Sequence, residues 1–117
     1  MIDYKELRVW QGSIKLAKIL YFYADNLPTS EKFGLQSQMK RAAVSIASNI
    51  AEGATRNSTK EYIHFLFIAL GSASELETQL ILCNELNFND VDPNLFSEIT
   101  IIRKQLNALI SSLRGKL

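Results

Sequence analysis

A metal site with a histidine ligand in this 117-residue chain would have to use its only histidine, His64. Glu61 and His64 stand three residues apart, the step by which di-iron four-helix bundles place two ligands on one helix face. Such a centre needs a second pair of this kind and two further carboxylates, and a single histidine cannot supply them within one bundle. Glu61 can also be explained as the residue that pairs with the N-cap residue at the start of a helix. We therefore expect no metal site and no cofactor.

Nucleophilic catalysis has no better basis in the sequence. Ser45 and Ser48 fall within a helical pattern, and only His64 could act as their base. No glycine-rich phosphate loop is present. Cys83, the single cysteine, falls on an apolar helical stripe, which is typical of a small buried side chain rather than a nucleophile. The sequence therefore predicts a protein that is not an enzyme and has no small-molecule substrate.

The most informative polar group lies between residues 45 and 58. Ser45, Asn49 and Glu52 follow one another at steps of four and three, which places them on one face of a helix. Arg56 and Ser58 come in the turn that follows, where Arg56 can form an ion pair with Glu52. Two interpretations stay open: the cluster only holds the corner between two helices, or it binds a ligand directly.

Charge is unevenly spread, although the net charge is only +1. Residues 1–60 contain nine basic and five acidic residues, a net of +4, and the rest of the chain carries −3. A basic patch on the first two helices could meet phosphate groups if an oligomer repeats it, and ordinary solvated charge is the alternative. The candidate nucleic-acid-binding residues are Lys15, Lys18, Lys40, Arg41 and Arg56.

Four blocks of apolar residues recur at helical spacing and account for nearly the whole chain. The first helix is expected over about Lys5 to Asn26, because Pro28 disfavours helix immediately before it. Its core-facing residues are predicted to be Trp10, Ile14, Ala17, Tyr21 and Ala24. The second helix is expected to be capped by Thr29 or Ser30 and to end with Gly53 in the left-handed conformation.

The third helix opens with a capping box, in which the Ser58 hydroxyl accepts from the Glu61 backbone and the Glu61 carboxylate reaches back. Asn87 provides a left-handed exit, and Asp92 and Pro93 open the fourth helix. The short connections, of about three to seven residues, favour neighbouring helices that run antiparallel. The sequence therefore predicts one all-α domain over residues 1–117, an antiparallel up-down-up-down four-helix bundle.

The third helix is more apolar than a single bundle requires. Residues 65–70 are consecutively apolar, and at 100° per residue they surround the helix. Ile63, Phe67 and Ile81 are predicted to face away from the core, and so are residues off the stripe of the first helix: Leu16, Ile19 and Tyr23. Large exposed apolar patches usually mark interfaces, although scattered surface hydrophobes are common. We therefore expect a homo-oligomer.

Several features favour a cytoplasmic protein without a membrane partner. The N-terminus lacks the basic start and apolar run of a signal peptide. The longest apolar run, residues 65–70, is far shorter than a membrane span. A single cysteine also suits a reducing compartment.

The order of short motifs resembles a known family over nearly the whole chain. The motifs are Leu7-x-Val9-Trp10, Leu27-Pro28, Phe33-Gly34-Leu35-x-x-Gln38, Arg41-Ala42-Ala43-x-Ser45-Ile46-x-x-Asn49-Ile50-Ala51-Glu52-Gly53, Arg56-x-Ser58, Phe67-x-Ala69-x-Gly71-Ser72 and Glu75-Leu76-Glu77. They resemble those of the four-helix bundle proteins encoded in intervening sequences of bacterial large-subunit ribosomal RNA genes, often labelled ribosomal-protein-like. The chain departs from that pattern at Asn87-Phe88, where the family more often has glycine before the aromatic residue.

The resemblance implies a four-helix protomer, assembly into a homopentameric ring and no known enzymatic activity. The chain is also similar to the accessory proteins of diversity-generating retroelements, which form basic pentameric barrels that bind nucleic acid and a reverse transcriptase. Two functions follow as expectations. The first is an oligomer associated with ribosomal RNA or another nucleic acid, and the second is a scaffold that binds proteins without nucleic acid.

Overall fold

Four α-helices make up most of the computed structural model, which describes residues 3–117. They are α1 (Arg8–Asp25), α2 (Leu35–Ala54), α3 (Thr59–Glu85) and α4 (Pro93–Arg114). Two short 3₁₀ turns, Tyr4–Glu6 and Thr29–Glu31, precede α1 and α2. No strand occurs within residues 3–117, and the predicted all-α class is confirmed.

The helices surround one continuous hydrophobic core. α1 packs against α2 and α4, and α3 packs against the same two helices. Each helix contributes fully buried aliphatic side chains, among them Leu20 of α1, Ile46 of α2, Leu76 of α3 and Ile102 of α4. The molecule measures 46 × 22 × 20 Å. Burial of one face of every helix is the main source of stability in such a fold.

α3 is the longest and most apolar of the four helices. By length and composition alone it could cross a membrane, a criterion that the core helix of a soluble protein also meets. In the fold, its row of buried residues faces the core between α2 and α4. This row is Ile63, Leu66, Ala69, Ala73, Leu76, Gln79, Leu80 and Cys83.

The predicted starts of α3 and α4 are confirmed. The Ser58 hydroxyl accepts the backbone N–H of Glu61 at 3.1 Å and donates to the Glu61 carboxylate at 3.2 Å. The Asp92 carboxylate accepts the N–H of Asn94 at 2.9 Å, with Pro93 as the first helical residue. Asn87 follows α3 with a φ of 53°, the left-handed conformation expected of it.

The prediction that Thr29 or Ser30 caps α2 is wrong. These residues begin a 3₁₀ turn, which leaves them five or more positions before the helix. The carboxylate of Glu31 takes their place and accepts the N–H of Leu35 at 3.2 Å. Glu31 lies four residues before Leu35, and its side chain is long enough to accept the first backbone N–H group of α2.

Gly53 does not adopt the predicted left-handed conformation. It lies inside α2, is buried, and no glycine within residues 3–117 has a positive φ. A Cβ atom at this position would lie only 2.8 Å from the Cβ atom of Phe65. The missing side chain therefore allows the end of α2 to approach the start of α3.

The predicted core face of α1 is correct at Ala24 and in part at Trp10 and Ala17, which are partly buried against the core, and it is wrong at Ile14 and Tyr21. The buried residues are Val9, Ser13, Leu16, Leu20 and Ala24. Ile14 and Tyr21 are exposed, and Leu16, which was expected to face outwards, is completely buried. Ser13 explains the error, because its hydroxyl donates to the Val9 carbonyl oxygen at 2.6 Å and can therefore occupy a core position.

Candidate nucleic-acid interface

An ion pair joins the basic residues of α2 to the outer side of α1. The Lys40 ammonium lies 2.5 Å from the Asp25 carboxylate and 4.8 Å from the centre of the Tyr21 ring. The Gln36 amide donates to the same carboxylate at 3.2 Å. The hydrogen bond from Lys40 is the main reason why the pKa of Asp25 lies below its ordinary value. The lowered pKa shows that the ion pair with Lys40 favours the charged form of Asp25, and this pair holds Lys40 beside Tyr21.

Tyr21 stands between two open hollows that contain three of the predicted cations. The first hollow is formed by α1 and is lined by Ala17, Lys18, Tyr21, Phe22 and Asp25. The second runs between α1 and α2 and is lined by Tyr21, Ser37, Lys40, Arg41, Val44 and Ser45. We call the combined surface of Lys18, Tyr21, Phe22, Lys40 and Arg41 the α1–α2 surface.

The other two predicted cations lie elsewhere. Lys15 is 3.8 Å from the carboxylate of Glu98 on α4. Arg56 follows the end of α2, where its guanidinium lies 2.6 Å from the Glu52 carboxylate and 4.7 Å from the centre of the Phe65 ring. The structure thus brings together Lys18, Lys40 and Arg41, and it gives Arg56 a place in the connection between α2 and α3.

The polar residues of the second helix meet α3 along a seam. The hydroxyls of Ser45 and Ser72 are 2.8 Å apart. The Asn49 amide donates to the carbonyl oxygen of Ser45 at 2.8 Å and to its hydroxyl at 2.9 Å. The predicted ion pair between Glu52 and Arg56 forms at the end of this seam. The Ser45, Asn49 and Glu52 side chains thus contact one another, Ser72 and Arg56.

The outward side of α3 carries a row of exposed residues at heptad-like steps of four and three. We call this row the α3 outer face; its members are Phe67, Gly71, Ser74, Thr78 and Ile81. Phe67 is 43% exposed and Ile81 is 48% exposed. A Cβ atom added to Gly71 would have no neighbour within 4 Å. The row therefore has large apolar residues at its ends and small residues between them.

Ile63 does not belong to this row, contrary to the sequence-based prediction. Its exposure is only 8%, because α3 packs on both α2 and α4 and these two neighbours cover a wide arc of the helix. The residues that the prediction missed are Ile68 and Leu82, which are exposed on the same helix.

The cysteine and the histidine lie apart from these surfaces. Cys83 is fully buried with its Sγ atom 3.8 Å from the Sδ atom of Met39, and this burial raises the pKa of the thiol. A raised pKa disfavours the reactive thiolate form. His64 is exposed beside Phe65. Within residues 3–117, no group of three or more His, Cys, Asp or Glu side chains is arranged to hold a metal ion.

Sequence reasoning missed the aromatic part of the α1–α2 surface. Tyr21 was assigned to the core, but it is 40% exposed. Phe22 was assigned to no role, and its side chain is 69% exposed. Its position provided a signal, because Phe22 follows Lys18 by four residues and precedes Asp25 by three, which places it on the polar face of α1.

Comparisons with known proteins agree on one family. A family model described as 23S rRNA-intervening sequence protein matches residues 5–108. The crystal structure of a protein with unknown function from the S23 ribosomal protein family of Bacteroides thetaiotaomicron VPI-5482 has a TM-score of 0.78 and 27% sequence identity. That match covers 88% of this chain and 95% of the other. No curated protein matches the sequence. The chain belongs to the 23S rRNA-intervening sequence protein family, as its order of motifs predicted.

Proposed function

We propose that this protein is a cytoplasmic, non-enzymatic homo-oligomer that binds structured RNA, such as ribosomal RNA, through its α1–α2 surface. The oligomer is a ring of five protomers, and it needs neither a membrane nor a small-molecule ligand. The observation that carries the proposal is the convergence of Lys18, Lys40 and Arg41 around Tyr21. Membership of a family linked to 23S ribosomal RNA supports RNA as the partner.

The protomer in this proposal is an antiparallel up-down-up-down bundle. α3 has 27 residues and is about 40 Å long at 1.5 Å per residue, close to the 46 Å length of the whole molecule. The other helices must therefore lie alongside α3 rather than beyond its ends. Short connections between helices that lie side by side favour opposite directions for successive helices.

The α3 outer face is the proposed contact between protomers. Steps of four and three match the spacing by which one helix packs against another, and small residues such as Gly71 allow close approach. Phe67 and Ile81 supply apolar area that the protomer leaves uncovered. Sedimentation equilibrium at micromolar concentration should give a mass about five times the 13.2 kDa of one chain. A monomer under these conditions would contradict the proposal.

Phe67→Glu tests the contact directly. The substitution should split the oligomer because a carboxylate is costly to bury in an apolar contact between subunits, even with the Arg114 guanidinium, which lies 5.3 Å from the centre of the Phe67 ring, nearby. The protomer itself should keep its helical circular dichroism, since Phe67 is already partly exposed within it. Oligomers of unchanged mass would place the contact elsewhere on the protein.

Phosphate groups are the proposed ligands of the cations. Within residues 3–117, Lys18 and Arg41 take part in no ion pair, so both can contact phosphate without breaking an internal contact. A lysine or arginine that neutralises a phosphate releases counterions, which makes the affinity fall steeply with salt. Five copies of the surface on one ring would also add avidity.

An electrophoretic shift with a ribosomal RNA fragment, at low and at physiological salt, tests the proposal. Wild type should bind at low salt, and Lys40→Glu combined with Arg41→Glu should abolish the shift. Lys104→Glu with Lys116→Glu is the matched control, because it makes the same change in net charge at two exposed residues outside the α1–α2 surface.

The oligomeric state of both double variants must be checked by sedimentation. If wild type gives no shift even at low salt, RNA binding fails, and a scaffold that binds proteins becomes the better reading. If Lys40→Glu with Arg41→Glu stays assembled and binds as well as wild type, the α1–α2 surface is not the RNA site.

A further inference from the structure

Two neighbouring aromatic side chains are left open to solvent on the α1–α2 surface. Phe22, at 69%, is the most exposed large apolar side chain in the four helices, and Tyr21 is 40% exposed. Both rings line the same hollow on α1. Because burial of an apolar side chain is favourable, a ligand that covers these exposed rings would gain binding free energy.

Rings and cations stand next to one another across this surface. Lys18 and Phe22 are separated by four residues and are therefore neighbours along the outer side of α1. Lys40 lies 4.8 Å from the centre of the Tyr21 ring, and Arg41 lines the hollow on the same side. Each ring thus has a positively charged side chain as a neighbour.

Paired and unpaired RNA would use such a surface differently. A duplex offers phosphates and sugar hydroxyls, but its bases are already stacked inside the helix. An unpaired strand offers phosphates together with free base faces, which stack on exposed aromatic side chains. Only the unpaired strand therefore uses both the cations and the rings.

We infer that the α1–α2 surface binds unpaired RNA, with Phe22 and Tyr21 as stacking platforms for its bases and Lys18, Lys40 and Arg41 as phosphate contacts. The inference rests on the proposed association with RNA and specifies which form of RNA the surface accepts. It assigns no base sequence, because every base has a face that can stack.

A second copy of the chain fits this surface less well. The surface carries three cations, and the carboxylates at its edges are Asp25, which Lys40 already engages, and Glu75, which lines a hollow with Arg41. Two copies that met face to face through it would bring like charges together at a cost. The α3 outer face has no charged member and offers apolar residues for the same purpose.

The test compares a fluorescein-labelled ten-nucleotide oligouridylate with an RNA hairpin duplex that carries a similar number of phosphates. Fluorescence anisotropy at low salt should show tighter binding of the oligouridylate to wild type. Phe22→Leu keeps an apolar side chain but removes the ring, and it should weaken oligouridylate binding about tenfold, within the range reported for the loss of one stacked base. Its affinity for the duplex should not change.

Two further variants separate stacking from other effects. Phe22→Trp keeps an aromatic face and should bind the oligouridylate at least as tightly as wild type. Ile14→Ala removes another exposed apolar side chain from α1, one that lines neither hollow, and it should leave both affinities unchanged. Circular dichroism and sedimentation must show that all variants fold and assemble as wild type does.

The possible failures are distinct. If Phe22→Leu binds the oligouridylate as wild type does, or if wild type prefers the duplex, stacking is overturned while RNA binding stands. If Phe22→Leu dissociates the oligomer, the ring belongs to a subunit contact and the inference is also overturned. If wild type binds neither RNA, the inference and the proposed function fail together.

Discussion

Two glycines of this protein have opposite surroundings, and they show what a single missing side chain does. At Gly53 an added Cβ atom would lie 2.8 Å from the Cβ atom of Phe65 and 3.1 Å from the backbone oxygen of Tyr62. At Gly71 it would meet nothing within 4 Å. Helix propensity favours alanine over glycine equally at both sites. Alanine can therefore be substituted at both sites, and the difference between the two changes in the free energy of unfolding measures the cost of separating α2 from α3 at Gly53.

We expect Gly53→Ala to destabilise the protomer by about 1–3 kcal/mol, the usual cost of inserting atoms into a packed site. Gly71→Ala should stabilise it by about 0.5–1 kcal/mol, because nothing opposes the gain in helix propensity. Urea denaturation should be measured in the Phe67→Glu background, so that dissociation of subunits does not contribute. Equal changes in the free energy of unfolding at the two sites would mean that α2 and α3 can move apart to make room for the added methyl group without loss of stability.

Ser58 caps α3 through its hydroxyl, which accepts the N–H of Glu61 at 3.1 Å. Ser58→Ala should lower the free energy of unfolding by about 1 kcal/mol, the typical cost of losing an N-cap. The midpoint of urea denaturation, measured in the same background, checks this value. Ser111→Ala is a suitable control, because Ser111 is an exposed residue of α4 that caps no helix. An unchanged midpoint for Ser58→Ala would mean that the cap contributes nothing measurable.

Asp25 restrains the cation most directly placed between the two hollows. Its carboxylate is charged at neutral pH and pairs with Lys40, and the lowered pKa of Asp25 reflects that favourable contact. Asp25→Asn should release Lys40 and raise the affinity for RNA at low salt. The salt dependence should steepen by about 0.7–0.9 in log–log slope for each lysine that gains a phosphate contact. Weaker binding would instead mean that the ion pair positions Lys40 for its ligand.

At the scale of elements, the α3 outer face is the proposed surface through which α3 of one protomer packs against its neighbour. Gly71→Leu places a large side chain in the middle of this face without a clash inside the protomer. It should block assembly while the protomer keeps its helical circular dichroism. Thr100→Leu on α4 is the matched control, because it adds a leucine at an exposed helical position away from that face. Sedimentation that shows an intact Gly71→Leu oligomer would exclude the α3 outer face as the contact.

The sequence predicted the number and class of the helices and the starts of α3 and α4, because caps act locally. Ser58 and Asp92 each accept an N–H group from the first turn of their own helix, and Asn87 takes the left-handed conformation just after α3. The residues of α1 that face the core could not be predicted in the same way. Ser13 interrupts the apolar row of α1, and only its hydrogen bond to Val9 makes that position compatible with the core.

A candidate site could be predicted from the sequence where all its residues lie on one helix. The Ser45–Asn49–Glu52 face is such a case, and the structure places these residues together along the seam with α3. The five basic residues were a different problem, because charge alone does not reveal the direction of a side chain. Lys15 turns to Glu98 of α4, whereas Lys18, Lys40 and Arg41 meet only through the packing of α1 against α2.

For the whole molecule, a weak surface on each subunit becomes effective only through repetition. One α1–α2 surface offers three cations, one of them already paired with Asp25, so a single protomer should hold RNA weakly. A ring of five would bind a long RNA through several surfaces at once, and the later contacts form at a high effective concentration. The proposed function therefore predicts that assembly and RNA binding are coupled, although their residues lie on different helices.

The last prediction tests this coupling. Phe67→Glu changes α3 alone, so the dissociated protomer should retain an intact α1–α2 surface. Its affinity for the short oligouridylate should stay close to that of wild type, because a ten-nucleotide strand engages one subunit. Its affinity for a long ribosomal RNA fragment should fall by about 10²–10⁴-fold, the usual range for lost avidity. Electrophoretic shifts and anisotropy at the same low salt measure the two affinities. If the long RNA binds the protomer and the oligomer equally well, one surface suffices, and the ring has a role other than gathering RNA contacts.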